Sequence, residues 1–176
     1  MGIIRLIIKA ISGGSKRRTS KNKRTKKPDK LSELFNKKNP DIFKINGESK
    51  TTGELITEIT DGANLVDGKQ TWEHVAERKH DLEYMKKCCV AELTTMDKAN
   101  VVPAPYYFER VAILSRQEKN YAQEVLYCES YISAVESFYK KNGTKGIADV
   151  RKGPRFQAIV KRLLKAKELL EKLSSN

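Results

Sequence analysis

Proline and cysteine are scarce in this chain, tryptophan occurs once, and long apolar runs are missing. The three cysteines are Cys88, Cys89 and Cys128, two of them adjacent. They cannot build a disulfide framework, so a reducing, intracellular (cytoplasmic) setting is expected. Nowhere do about 18 uncharged apolar residues follow one another, which excludes a conventional membrane-spanning helix.

Catalytic fingerprints are missing too. The chain contains no G-x-x-x-x-G-K-S/T, no G-x-G-x-x-G and no G-x-S-x-G. His74 and His80 stand six residues apart, about 600° of helical rotation, so they share no face and make no two-histidine clamp. Cys88 and Cys89 lack C-x-x-C spacing. Glu73, Glu77, Glu109, Glu118 and Glu124 lie among Lys and Arg on helical segments and read as solvated i,i+4 partners. No cofactor, no metal site and no enzymatic activity is expected.

What the chain has in excess is positive charge. Its 176 residues carry 35 Lys+Arg against 22 Asp+Glu, a formal net charge of +13, with a 39% hydrophobic content that suffices for a modest core. The charge is unevenly spread. Residues 1–30 hold eleven basic side chains and one acid, and residues 31–150 hold sixteen basic against nineteen acidic. Residues 151–176 hold eight basic against two acidic. A near-neutral body is thus bracketed by cationic ends, and attraction for polyanions is expected to act through them.

Two parts are expected: an apolar N-terminal segment plus polybasic arm at 1–30, and a helical domain at 31–176. After Ser12-Gly13-Gly14-Ser15 the arm presents Lys16, Arg17, Arg18, Lys21, Lys23, Arg24, Lys26 and Lys27 with no apolar residue between them. Such a stretch buries too little surface to offset its ordering entropy and reads as disordered when unbound. It suits either contact with phosphates or a solubilising linker. Before it, Ile3, Ile4, Ile7, Ile8 and Ile11 share one helical face with Arg5 and Lys9 opposite. An interfacial helix followed by a basic run is one arrangement for an anionic membrane surface. A short segment docked on the body is the plainer alternative. Leu6 stands where myristoylation requires Ser or Thr.

From residue 31 the apolar spacing is helical nearly throughout. Short pieces are expected at about 31–38 and 52–60, the second opened by a Thr51–Glu54 capping box and closed by Asp61-Gly62. Asp41–Ile45 alternates and suits a strand. A longer helix is expected from Thr71 toward Met96, with Asp81 as a break point. Trp72, Val75, Leu82, Cys89, Leu93 and Met96 form its inward seam, so the tryptophan and the cysteines are expected in the core. Pro105 opens the next helix, to about 118. Asn120 then turns the chain into a helix over 121–141 with Tyr121, Val125, Cys128, Ile132, Val135 and Tyr139 as its buried stripe. Pro154 starts the last helix, whose Phe156, Ile159, Leu163, Ala166, Leu170 and Leu173 lie opposite Arg155, Lys161, Arg162, Lys165 and Lys172. The fold class is all-α, a small helical bundle.

Within it, Phe108 opens a helix, Ala112 follows one turn on, and Asn120-Tyr121 form a polar turn before a second amphipathic helix. This pattern, over about 105–141, resembles a tetratricopeptide-type antiparallel hairpin. Ala112 would let the helices approach and Tyr121 would fill the turn. The resemblance implies partner recognition. The first expectation is therefore a non-enzymatic interaction protein whose protein partner meets Tyr106, Tyr107, Arg110 and Arg116, since aromatics and Arg are frequent interface anchors. The alternative is nucleic-acid binding through the arm together with Arg155, Arg162 and Lys165 on the last helix. A further alternative is peripheral attachment to an anionic membrane through residues 1–27. Oligomeric state stays open, because either stripe can be satisfied within the chain.

Overall fold

The computed structural model describes residues 44–45, 48–144 and 148–175. The expected helix at 31–38, the apolar segment and the whole polybasic arm lie outside these residues.

The chain is all-α, with two minimal β-hairpins inserted near its beginning. β1 (Lys44–Ile45) pairs antiparallel with β2 (Glu48–Ser49), Ile45 opposite Glu48. The alternating run expected around 41–45 contributes its last two residues to this pair, and the rest of it lies outside the described residues. α1 spans Thr52–Thr60 and opens on the anticipated capping box. The Glu54 amide donates to the Thr51 hydroxyl at 3.3 Å, and the Thr51 amide donates to the Glu54 carboxylate at 2.7 Å. Two orphan donors of the first turn are thereby satisfied. Asp61 ends the helix in the left-handed region at φ 53°.

The second hairpin joins β3 (Leu65–Val66) to β4 (Lys69–Gln70) through Asp67 at φ 51° and Gly68 at φ 82°. Two consecutive left-handed residues are what a tight hairpin of this hand requires, and Asp-Gly is a preferred pair for it. A 3-10 turn (Thr71–His74) and the four-residue α2 (Val75–Arg78) follow. The helix expected from Thr71 toward Met96 is therefore divided, and Asp81 is the expected break point. Asp81 caps a new helix, α3 (Leu82–Ala99), by accepting from the Tyr84 amide at 2.9 Å.

α4 (Pro105–Gln117) and α5 (Tyr121–Asn142) fold back on each other across a three-residue turn in which the Asn120 side chain accepts from the Gln123 amide at 3.0 Å. A 3-10 turn (Val150–Lys152) leads into α6 (Pro154–Ser174), with Pro154 in the first helical turn. α4, α5 and α6 each pack on the other two, α3 packs on α4, and α1 on α3. The centre is aromatic. Phe108 and Tyr131 have ring centroids 5.0 Å apart, and Tyr131 and Phe156 6.0 Å, linking α4, α5 and α6 in turn. Cys88, Cys89 and Cys128 are all fully buried, as small hydrophobes in this core.

α5 buries more than its expected stripe. Cys128, Val135 and Tyr139 are inside, but so are Tyr127, Tyr131, Ala134 and Phe138, while Tyr121, Val125 and Ile132 are half-buried. A helix with partners on two sides hides two adjacent faces, and a single-stripe reading finds only one of them. On α6, Phe156, Ile159 and Ala166 are buried but Leu173 is 58% exposed, because the helix overruns the bundle at its C-terminal end.

Candidate functional site

The residues first expected to meet a partner have structural occupations. Tyr107 is buried in the core. Tyr106, beside it, is half-buried under Arg155, whose guanidinium lies 5.1 Å from the ring centroid. Arg110 donates through Nε at 3.0 Å and through Nη2 at 2.6 Å to the Lys79 carbonyl, clasping the turn that ends α2. Arg116 reaches the fully buried Glu124, Nε to Oε2 at 2.9 Å and Nη2 to Oε1 at 2.9 Å. Arg162 approaches the same Oε1 at 3.6 Å from α6. That oxygen makes ion-pair contacts without a well-aligned hydrogen bond. One carboxylate thus joins three helices.

Basic residues of α6 are likewise paired, two of them with acids of α4 and α5 and one within α6 itself. Arg155 pairs with Glu109 at 2.6 Å, Lys165 with Glu168 at 2.8 Å, and Lys167 with Glu129 at 2.7 Å. Lys16, Arg17, Arg18, Lys21, Lys23, Arg24, Lys26 and Lys27 lie outside the described residues, so the structure does not relate them to this face.

A different place draws together what those residues do not. Trp72, expected inside, is 66% exposed. It sits in the 3-10 turn after β4 rather than on a helix in phase with α3, so a helical seam extended backward through Asp81 loses register before reaching it. Beside it runs a groove of about 530 Å³ between α1, β4, α3 and the chain entering α4, lined among others by Ile56, Asn64, Trp72, Glu92, Thr95 and Val102. This volume falls within the usual range for binding clefts.

Its rim is built by a short relay. Gly53, on the first turn of α1, has no side chain where a Cβ would overlap the Gln70 amide group. Gln70 fits into that space, and its Oε1 accepts from the Trp72 indole Nε1 at 3.0 Å. The backbone amide of Gln70 is held by Glu73 at 2.8 Å. The indole is therefore fixed at one edge while most of its surface faces solvent.

The lining is short of protein partners. The Thr95 side chain is almost wholly buried, yet its hydroxyl has no hydrogen-bond partner, and neither does the Asn64 Oδ1. The Asn64 amide nitrogen is occupied, donating to the Thr57 hydroxyl at 2.9 Å. Glu92 accepts from the Thr71 hydroxyl at 3.2 Å and from the Ala104 amide at 2.8 Å. Among the described residues no Lys or Arg lies within ion-pair distance of it. Desolvation raises its pKa above the ordinary value of 4.5, against the lowering effect of those two bonds. Buried polar groups are normally satisfied, so two unpaired ones within residues of one groove wall are unusual.

The surroundings are acidic. Residues 48–83 carry nine Asp/Glu against four Lys/Arg, the reverse of the balance in α6. One sequence signal points to the groove. Asp67-Gly68 between short apolar and polar pairs is a strong hairpin sign, and it places Trp72 just after a hairpin rather than within a helix. The convergence of Asn64, Glu92 and Thr95 on one cleft has no such signal, since it depends on how α1 and the second hairpin sit on α3. Among the described residues no group of three His, Cys, Asp or Glu is placed to hold a metal ion, and no helix is long and apolar enough to cross a membrane.

Compared with protein-family models, with curated proteins and with solved structures, the chain matches none.

Proposed function

We propose that this chain is a non-enzymatic interaction protein that takes a segment of a protein partner into the groove beside Trp72. The observation that carries the reading is a tryptophan two-thirds exposed, tethered at one edge, bordering a cleft whose one acid has no cation beside it among the described residues. An exposed tryptophan of this kind gives up little conformational entropy on binding and buries a large area, which is why the residue is enriched among interface hot spots. The likeness of 105–141 to a tetratricopeptide-type hairpin belongs with the same class of function. In this reading the hairpin supplies the rigid support, and the recognising surface is displaced to the α1–α3 side.

Trp72 is the single tryptophan, so its emission reports on the groove alone. Peptides selected from a random display library against the full chain are expected to shift that emission and to lose binding on Trp72→Ala. Selected peptides that bind Trp72→Ala as well as the parent, with emission unmoved, would overturn the reading.

The charge distribution favours a second reading, polyanion binding through Lys16–Lys27 with the outer surface of α6. It predicts an affinity for duplex DNA or RNA that falls steeply with salt, about 0.9 in log–log slope per phosphate neutralised on duplex DNA. Binding that is flat between low and physiological salt would remove it. Liposome flotation of the full chain on anionic vesicles tests the peripheral-membrane alternative through residues 1–27.

A further inference from the structure

We infer that the groove selects a basic side chain, Lys or Arg, presented by the partner's segment, with the Trp72 face meeting its cationic head and Glu92 accepting its N–H groups. This rests on the groove being the binding site and adds the chemistry of its occupant.

Among the groups of the lining, the ionised Glu92 carboxylate can only accept. It uses one hydrogen bond on each oxygen, which leaves about half of the acceptor sites of a carboxylate open. A ligand that meets it must bring donors, and ammonium and guanidinium groups are the side chains that bring several with no acceptor of their own.

Charge points the same way. Glu92 is the acid of this lining, mostly withdrawn from water and lacking a cation of its own among the described residues. A partner's cation would supply the missing counter-charge, whereas an acidic side chain would set two carboxylates together in a dry site. The exposed indole completes the set, because a cation over a tryptophan face is favoured over one beside an aliphatic wall.

The test uses the full chain and short acetylated, amidated peptides of one neutral background, differing only in a central Arg, Lys, Gln or Glu, titrated against Trp72 emission. Arg and Lys peptides are expected to bind about tenfold or more tightly than the Gln peptide, the size of a charge-assisted pair. The Glu peptide is expected to bind weakest. Glu92→Gln should erase most of the Arg-over-Gln preference. Thr95→Val, which removes only a hydroxyl shut behind the groove wall, should leave the preference unchanged. Equal binding of the Arg and Gln peptides, or a preference for Glu, overturns this inference while leaving the groove as a binding site. No shift of Trp72 emission with any peptide, displayed or synthetic, overturns both. Replacing the eight Lys and Arg of 16–27 by Gln gives the remaining outcome. If that alone moves Trp72 emission with no peptide present, the groove holds the chain's own basic arm, and a partner's side chain is ruled out as its occupant.

Discussion

Arg116 on α4 lays two nitrogens of its guanidinium against the two oxygens of Glu124 on α5, each at 2.9 Å, with the carboxylate fully shut from solvent. Arg162 completes the arrangement from α6, and its backbone carbonyl accepts from Arg116 Nη2 at 3.2 Å. A buried pair of this kind contributes little compared with well-packed apolar residues, but breaking it strands a charge. Arg116→Leu should therefore lower the unfolding free energy, by less than the about 3–5 kcal/mol of a fully stranded charge because Arg162 stays beside Glu124, while Arg116→Leu with Glu124→Leu should recover most of the loss. Urea melts of the two variants decide the matter. A single variant that costs no more than an exposed pair, below about 1 kcal/mol, would show that Glu124 reaches water.

The groove rim yields a variant that separates stability from organisation. Gly53→Ala improves helix propensity in the first turn of α1 by up to about 1 kcal/mol, so stability should hold or rise. The new methyl displaces the Gln70 amide and with it the acceptor of the indole. Steady-state anisotropy of Trp72 should fall, with the thermal midpoint maintained or raised. Unchanged anisotropy would mean that Gln70 does not tether the ring.

Unpaired and paired buried hydroxyls should answer differently to removal. The Thr95 hydroxyl has no partner, so Thr95→Val removes a desolvated polar group and should leave stability unchanged or raise it. Ser115 is just as buried, but its Oγ donates to the Val111 carbonyl at 2.7 Å and accepts from Gln123 Nε2 at 2.8 Å. Ser115→Ala strands the Gln123 donor and should cost about 1–3 kcal/mol. Equal losses in both variants, measured by chemical denaturation, would show that Thr95 has a partner in solution.

Much of the bundle was legible because its signals are local. Thr51 and Glu54 announce a helix start, Asp81 a break, and Pro105, Asn120 and Pro154 the limits of the hairpin and of the last helix, and each does so through chemistry within four residues. The groove was not legible in this way. Trp72 takes its exposure from a hairpin whose two strands are two residues each, too short for periodicity to register. Glu124 illustrates the opposite error. Its sequence neighbourhood is that of a solvated helix acid, and only the meeting of α4, α5 and α6 buries it between two arginines from elsewhere in the chain. Side chains whose role depends on three elements converging leave no pattern along one of them.

The cysteines should be inert while the fold stands. Burial pushes the Cys88 and Cys128 thiols up to about 12, and Cys89 well above the ordinary range. At pH 8 the thiolate fraction of a group near 12 is on the order of one in ten thousand, and the core also bars the reagent. Iodoacetamide should label all three cysteines rapidly in denaturant and none on the same timescale in buffer. Rapid native labelling of any one would reveal a local opening of α3 or α5.

Glu92 should imprint a pH dependence on stability. Its pKa is raised in the fold by desolvation, so the folded state holds a proton that the unfolded chain has already released. Between the ordinary value of 4.5 and the raised one, the folded form binds more protons, and stability must fall as pH rises across that window. Glu92→Gln removes this titration and keeps an acceptor for the Ala104 amide. The parent-minus-variant difference in unfolding free energy should therefore move against the parent as pH climbs from 4 toward neutrality, then level off. A cationic peptide seated in the groove would favour the ionised carboxylate, so adding the central-Arg peptide should shrink that slope in the parent and leave the variant unaffected. A difference that stays flat across the window would place the Glu92 carboxylate in contact with water, and a slope of opposite sign would mean a cation already sits beside it.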